Sequence, residues 1–367
     1  MNSLGFNKKN SDTKVYVAMS GGVDSSVTAA ILKKEGYDVT GITLRLYNHN
    51  DHNKSKSCCA GNDIKDAKKV AEQFDFPHFT FDYQENFFSG VIDKFIDSYS
   101  NGETPVPCIN CNQTVKFTDL LNESIKKSAD VLVTGHYARR IGNLNNAKLF
   151  KAKDSNKDQS YFLFATTQKQ LDFIRFPLGN YLKPEIRKIA TELDLPVKDK
   201  KDSQDICFVT GNSYREFINK IDPQLNIKGN FLDINDKVIG EHNGIVNYTV
   251  GQRKGLGVSG FAKPLYVIKI EKKNNTIYLG EEKYLKKSKV FLKDLNWLED
   301  INNNKLIECS AKIRSTQDEI SGKLSINGNE ACFIFDEKIN TTSPGQACVF
   351  YLNNQVLGGG WITKTSD

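Results

Sequence analysis

The sequence predicts an α/β fold: a doubly wound parallel sheet, followed by a small mixed α/β module and a C-terminal β domain, a sandwich or a small β-barrel. Three observations predict it. Over the first 208 residues, short apolar runs alternate with helix-period amphipathic segments, the pattern of parallel strands joined by right-handed crossovers. A Ser-Gly-Gly break separates the first apolar run from the first helical one. After about residue 209, Gly, Asn and Asp become frequent between short strand-like runs, and from about residue 290 nearly everything alternates with period two. The expected domains are residues 1–208, 209–284 and 285–367.

The elements follow in order. Residues 15–19 form a buried strand, and a helix starts at Asp24, with Val27, Ala30 and Ile31 on one face and Gly36 as its stop. A strand at 39–46 leads into a polar loop, 47–61, that carries Cys58 and Cys59. A helix at 63–74, a strand at 78–81 and a helix at 87–99 come next. Residues 101–111 read as a Pro-containing loop holding Cys108 and Cys111, ahead of a helix at 118–128 and a strand at 131–134. In the second half, 246–250, 265–270 and 276–279 read as strands, and 305–313, 331–335 and 347–352 as alternating strands.

Composition bounds the class. The chain has 367 residues, 39% hydrophobic and 26% charged, a globular profile with no window of about 18 apolar residues to span a membrane. Its N-terminus is polar, without the apolar stretch of a signal peptide, so a cytoplasmic location is expected. Net charge is +6, which permits a nucleic-acid partner without requiring one. Eight cysteines in a reduced compartment read as core thiols, metal ligands or catalytic thiols rather than as a disulfide framework.

Ser20-Gly21-Gly22-Val23-Asp24-Ser25-Ser26 lies between the first strand and the first helix. Glycines let the backbone turn and approach a ligand, and the helix start presents N–H groups to an anion. The serine hydroxyls can donate to phosphate, and Asp24 can cap the helix or face Mg²⁺. There is no Gly-Lys-Ser/Thr ending, so this is not the nucleotide-hydrolase P-loop. Gly255-Leu-Gly257-Val-Ser-Gly260 matches G-x-G-x-x-G but lacks the following helix, and reads as a basic flexible loop. Cys108-Ile-Asn-Cys111 has three readings: a redox pair, half a metal site, or coincidence. With Cys207 it could also hold an iron–sulfur cluster. Cys309, Cys332 and Cys348 fall in alternating runs and read as core thiols; Trp297 and Trp361 read as β-domain packing. His136 reads as a general base or a hydrogen-bonded structural histidine, and His49 and His52 have no zinc-spaced partner.

The Ser20-to-Ser25 run resembles the signature of the PP-loop ATP pyrophosphatases, which cleave ATP between its α and β phosphates to adenylate a substrate. Further runs narrow the match: Gly135-His-Tyr-Ala-Arg139, Lys157-Asp-Gln-Ser-Tyr-Phe-Leu163, Lys201-Asp-Ser203 with Ile206-Cys-Phe208, Gly251-Gln-Arg-Lys-Gly-Leu-Gly257, and Pro344-Gly-Gln346 with Leu357-Gly-Gly-Gly360. Together they resemble the tRNA-specific 2-thiouridylases over nearly the whole chain. The resemblance implies ATP, with Mg²⁺, held by Ala18, Met19, Ser20, Gly21, Gly22, Val23, Asp24 and Ser25, with Leu44 and Gly135 on the nucleotide. It implies Cys111 and Cys207 as the catalytic pair, Cys207 carrying a persulfide. It implies tRNA contacts at Lys157, Asp158, Gln159, Arg314 and Ser315, and lysine, glutamate and glutamine tRNAs as substrates. A cysteine desulfurase or a sulfur-carrier protein would supply the sulfur. One departure stands out: Cys108 occupies the place of the family's usual Asp, and a thiol does not replace a carboxylate as a base of matching pKa. Lys183, Arg187, Lys188, Lys198, Lys200 and Lys201 would then form a basic belt for RNA phosphates around Cys207. The competing expectation is a PP-loop synthetase that adenylates a small molecule, as GMP synthetase does; a third is a non-catalytic RNA-binding or thiol-redox protein that keeps the fold.

Overall fold

The computed structural model describes residues 1–46, 61–143, 145–202, 206–209, 213–301, 306–340 and 342–367. The expectations for Cys58, Cys59, His49, His52 and Ser203 lie outside these residues. The chain runs through β1 (Lys14–Ala18), α1 (Val23–Lys34), β2 (Asp38–Arg45), α2 (Gly61–Gln73), β3 (His78–Asp82), α3 (Gln84–Phe87) and α4 (Asp93–Ser100). It continues through α5 (Pro107–Cys111), α6 (Leu121–Lys126), β4 (Val131–Thr134), β5 (Ala138–Ile141), β6 (Lys148–Lys151), α7 (Gln168–Phe173), β7 (Ile174–Arg175), α8 (Lys183–Glu192) and α9 (Tyr214–Ile221). The remaining strands are β8 (Gly229–Leu232), β9 (Val238–His242), β10 (Tyr266–Glu271), β11 (Thr276–Gly280), β12 (Lys286–Trp297), β13 (Ile307–Lys312), β14 (Ile320–Asn327), β15 (Glu330–Asn340), β16 (Ala347–Leu352) and β17 (Gln355–Ser366).

The chain forms two compact units. The first comprises Met1–Val91, Cys108–Thr210 and Asn353–Leu357. Its sheet has the order β3-β2-β1-β4-β7, every pair parallel. Val15, Val17, Val131, Leu132 and Val133 are fully buried, as expected of a parallel sheet covered by helices on both faces. From α1, Val27, Ala29 and Ala30 pack into a core that also takes Val70 of α2 and Ile186 and Ala190 of α8. The direction of winding reverses between β1 and β4. In sheets of this kind the crevice at the carboxyl ends of those two strands is where ligands bind.

Two local departures from the sequence reading concern this unit. Cys108 and Cys111 lie on a helix, α5, rather than in a loop. Pro107 opens it: its fixed φ suits a first helical position, where no N–H is needed. The helical path continues with wider turns over Asn112–Leu120 and then α6. The hairpin β5–β6 was not foreseen; it is antiparallel, and its Phe150 pairs with Gln355 at the start of β17. Ala138-Arg-Arg-Ile141 carries charge in mid-strand and so hides the apolar run by which the other strands of the unit are read.

The second unit comprises Ile92–Pro107, Gly211–Leu352 and Gly358–Asp367. One part is the small mixed module: α9 and a four-stranded sheet of order β10-β11-β8-β9, around Phe231, Val267, Ile277 and Leu279. The other is a closed six-stranded barrel, β12-β15-β14-β13-β16-β17, in which β17 returns to pair with β12. Closure leaves no free edge. Its interior holds Phe333, Phe350 and Leu324, all fully buried, with Trp297 stacked on Phe350 at 5.8 Å. Cys348 is fully buried and Cys309 nearly so, as expected of core thiols, whereas Cys332, expected with them, is half-buried. Burial pushes the Cys309 thiol up to about 12 and the Cys348 thiol well above its usual value.

Candidate active site

The phosphate-type loop leaves the end of β1 at Ala18. Met19, 2% exposed, donates its N–H to the Ile42 carbonyl at 2.7 Å, so β1 and β2 hold the loop's first residue. Ser25 Oγ then ties the turn together, accepting from Ser20 N at 3.1 Å and donating to the Gly22 carbonyl at 3.2 Å. Gly21 has φ +70°, and a Cβ there would lie 2.2 Å from the Asp63 carbonyl oxygen of α2. Only glycine permits both that backbone and that approach. Gly22 caps α1, and Val23, Asp24 and Ser25 form its first turn, where N–H groups point into the crevice. Gly135, just past β4, comes so close that a Cβ would sit 2.9 Å from Ser25 N. Leu44 is buried on β2. The ten residues assigned to the nucleotide thus belong to the ends of β1, β2 and β4 and to the start of α1, around the winding reversal.

Carboxylates and lysines are ordered around this loop. Asp24 accepts from Lys183 Nζ at 2.7 and 2.8 Å and from the Tyr137 hydroxyl at 2.8 Å. Burial, with Asp24 next, raises the Tyr137 phenol above its usual range, so it stays protonated and donates. Lys183 opens α8 and is 8% exposed; its ammonium also lies 2.9 Å from Asp202. Asp202 further holds Lys157 at 2.9 Å and Arg187 at 2.6 Å. Burial pushes the Asp202 carboxyl up, but Lys157 and Lys183 outweigh it and hold it at about 2. Lys200 Nζ reaches the Gly21 carbonyl at 2.8 Å, Asp63 at 2.6 Å and Asp66 at 2.8 Å.

This changes the reading of the basic belt. Lys183, Arg187 and Lys200 point inward onto four carboxylates instead of outward to RNA phosphates, because the phosphate loop and α2 offer acidic partners that sequence spacing does not reveal. Lys188 and Lys198 keep more exposure, with single partners at Glu192 and Asp194.

Among the residues assigned to tRNA, Lys157 pairs with Asp202. Asp158 turns inward, accepting from Ala152 N at 2.9 Å and from Ser160 Oγ at 2.7 Å. Gln159 accepts from Tyr137 N at 2.8 Å and donates its own N–H to the Tyr137 carbonyl at 2.8 Å. This run braces the segment that carries Gly135 and Tyr137. In the second unit, Arg314 is exposed and donates to Thr342 Oγ1 at 3.1 Å, with Ser315 beside it. Its guanidinium lies 3.7 Å from the place of a Cβ on Gly251. Arg314 thus stands beside the start of the Gly251-to-Gly257 motif. That loop continues into a cavity of about 530 Å³ lined by Arg253, Leu256 and Phe261, and no helix follows it.

Cys111 is buried and Cys108 exposed, both on α5, while Cys207 is half-buried. Phe208 anchors the Cys207 segment by an edge contact with Phe87 of α3 at 5.7 Å. The same stretch touches the helical run after Cys111: Asn86 donates to Asp119 at 3.1 Å, and the place of a Cβ on Gly90 lies 3.4 Å from Thr114 Oγ1. One short helical element therefore braces both cysteine-bearing segments. No three His, Cys, Asp or Glu side chains among the described residues gather as a metal-holding set. His136 shares a 2.9 Å hydrogen bond between Nδ1 and Thr134 Oγ1 and meets Phe117 and Phe176 edge-on. Burial, aided by Lys116, pulls its pKa well down, which keeps the imidazole neutral.

A glycine loop at the winding reversal of a parallel sheet, feeding a helix start and lacking the P-loop lysine, defines an ATP-using enzyme of the PP-loop class. Comparison with known proteins takes this further. Residues 13–211 match the family model described as a tRNA methyl transferase HUP domain, 215–281 its PRC-barrel domain and 287–362 an aminomethyltransferase beta-barrel domain. The chain is 51% identical over 356 residues to the tRNA-specific 2-thiouridylase MnmA of Wolbachia pipientis wMel, covering 95% of each chain. It is 49% identical over 355 residues to that of Rickettsia massiliae (strain Mtu5), covering 95% of this chain and 96% of the relative. With the protein of that name from Rickettsia prowazekii (strain Madrid E), identity is 48% over 353 residues, 95% of this chain and 98% of the relative. The chain belongs to the MnmA family of tRNA-specific 2-thiouridylases.

Proposed function

We propose that the protein is an ATP-dependent tRNA sulfurtransferase that replaces O2 of the wobble uridine, position 34, by sulfur, yielding 2-thiouridine, AMP and pyrophosphate. The carrying observation is the phosphate loop at the β1–β4 reversal, closed by Gly135, in a chain homologous along nearly its whole length to 2-thiouridylases. The small-molecule synthetase is not favoured, because the similarity runs through all three parts of the chain.

The chemistry follows from a poor leaving group. Uridine O2 attacks the α-phosphorus of ATP, the bond to the β-phosphate oxygen breaks, and pyrophosphate leaves. N–H groups of Gly22 to Ser25 are placed to stabilise the charge on the phosphates. Mg²⁺ arriving with ATP would neutralise polyphosphate charge, with Asp24 as the carboxylate at the loop. The terminal sulfur of a Cys207 persulfide then bonds to C2. The Cys111 thiolate attacks Cys207 Sγ, the persulfide S–S bond breaks with its electron pair left on the transferred sulfur, and AMP departs with O2. A Cys111–Cys207 disulfide remains, and a two-electron reductant reopens it. The persulfide route needs no iron–sulfur cluster on Cys108, Cys111 and Cys207, and no step is routed through iron.

Lys157, Asp158, Gln159, Arg314 and Ser315 are proposed to meet the tRNA, with lysine, glutamate and glutamine tRNAs as substrates. A cysteine desulfurase or a carrier protein loads Cys207. No helix among the described residues is long and apolar enough to cross a membrane, and we place the enzyme in the cytoplasm with its tRNA.

The test is release of AMP and pyrophosphate with and without an unmodified tRNA transcript, for the full chain and Cys207→Ser. The reading expects strong tRNA dependence, and in Cys207→Ser continued adenylation with thiolation abolished. Turnover indifferent to tRNA would overturn the substrate, and thiolation surviving in Cys207→Ser would overturn the sulfur route.

A further inference from the structure

Asp202 stands five residues before Cys207 and faces the phosphate loop through one shared cation. Lys183 Nζ lies 2.7 Å from Asp24, in the first turn of α1, and 2.9 Å from Asp202. Its side chain is only 10% exposed, and a buried ammonium held by two carboxylates is costly to strip of either one. Asp202 has two further cationic partners, Lys157 at 2.9 Å and Arg187 at 2.6 Å. Arg187 also donates to the Lys198 carbonyl at 2.9 Å and to the Lys200 carbonyl at 2.6 Å, so α8 grips the backbone leading to Asp202. Lys200 in turn holds the Gly21 carbonyl. The chain from Lys198 to Asp202 is therefore fastened to the nucleotide loop at two places: through Lys200 at Gly21, and through Lys183 at Asp24.

We infer that Asp202 is a positioning residue for sulfur transfer: through Lys183 it sets the place of the Cys207 segment relative to the phosphate loop, and so joins the adenylation half-reaction to the sulfur-transfer half-reaction. This inference rests on the sulfurtransferase reading above. The arrangement suits it for a physical reason. ATP brings several negative charges beside Asp24, and Lys183 is the buried cation that both those charges and Asp202 attract. What happens at the loop is thereby felt at Asp202, whereas Cys207 itself needs no contact with ATP. Asp202 touches no reacting atom in this scheme; it acts on where the cysteine stands.

The experiment uses the full chain with Cys207 loaded as persulfide, mixed with ATP and tRNA in a single turnover, reading pyrophosphate release and 2-thiouridine separately. In Asp202→Asn, sulfur transfer is expected to fall by at least about ten-fold more than pyrophosphate release, the scale of a misplaced reacting group. Asp202→Glu should restore much of the loss, which a merely structural role would not require. Should Asp202→Asn fold poorly, Arg187→Gln removes one partner of Asp202 without touching Asp24, and should uncouple the two products in the same sense. Equal losses in both products, or none, would overturn the inference. A wild-type chain that forms no tRNA-dependent pyrophosphate would instead overturn the reading on which it rests.

Discussion

Gly21→Ala is the most direct probe of the phosphate loop. A Cβ at this position would meet the Asp63 carbonyl oxygen at 2.2 Å and its carbon at 2.7 Å, on a backbone with φ +70°. An alanine in that conformation costs about 1–2 kcal/mol by itself. The overlap of about 1 Å must also be relieved by moving the loop or the start of α2, at about 1–3 kcal/mol for an overpacked site. Neither can move alone, because Lys200 holds the Gly21 carbonyl and the Asp63 carboxylate together, at 2.8 and 2.6 Å. The sum, about 2–5 kcal/mol, should lower the melting midpoint of this unit by about 5–15 °C. Displacing the loop by about 1 Å should slow pyrophosphate release by about two orders of magnitude. Gly22→Ala is the control: it has φ −89°, and its Cβ would lie 3.4 Å from Ser20 Oγ, an ordinary contact. Its stability loss should stay below about 1 kcal/mol. Differential scanning fluorimetry of both variants, with pyrophosphate release from ATP, checks the argument. A Gly21→Ala chain that melts within a degree of wild type, or no lower than Gly22→Ala, would refute the claim that α2 closes the loop at Gly21.

The pH dependence of the ion-pair cluster has a definite sign. Asp202 is held at about 2, below the usual 3.8, so its contribution is fully present above about pH 4 and is lost as pH falls through 2. That shift, discounted for partial exposure, is about 1–2 kcal/mol. The melting difference between wild type and Asp202→Asn should therefore be flat from pH 8 to 5 and shrink only below about pH 4; a difference that titrates near pH 6 would mean another group is responsible. Thiol labelling should separate the cysteines by burial: a maleimide at pH 8 should reach exposed Cys108 in the folded chain, while Cys309, at about 12, and Cys348 wait for unfolding. Labelling of Cys348 at the rate of Cys108, read by mass spectrometry, would contradict the closed barrel.

The fold was legible wherever burial repeats with a period. Val131 to Val133 is covered on both faces, so its strand reads as a plain apolar run; β15 buries one face over 331–335 and alternates there, whereas 347–351 is buried at every position and is itself a continuous apolar run. The β5–β6 hairpin escaped because Arg139 and Arg140 interrupt the pattern, Arg139 donating to the Lys151 carbonyl of the paired strand and Arg140 to the Leu171 carbonyl of α7. The helix under Cys108 and Cys111 escaped because Pro107 was read as a loop residue, although proline is equally at home on the first turn of a helix. The glycines of the loop were legible through their chemistry. The carboxylates that surround it were not: Asp24 and Lys183 are far apart along the chain, and Asp202 belongs to neither segment. Nothing in local spacing links a lysine to an aspartate that only the fold brings near.

That same cluster explains why so basic a stretch of sequence need not present a basic face. Lys183 and Arg187 on α8, with Lys200 beyond it, are drawn inward by Asp24, Asp202, Asp63 and Asp66. Each pair alone would add little at a surface. Lys183, nearly buried, is shared by Asp24 and Asp202, so loss of either carboxylate strands a cation that reaches little water, whereas Arg187 and Lys200 keep part of their side chains in solvent. A ligand bringing its own negative charge to the loop enters a site already lined with cations, and it competes with Asp24 and Asp63 for them. The strength of nucleotide binding is then a difference between two sets of anions on the same lysines. Removing Asp63, which helps hold Lys200, should therefore tighten binding of the polyphosphate even as it loosens the loop, a pairing of opposite effects that a merely structural carboxylate would not produce.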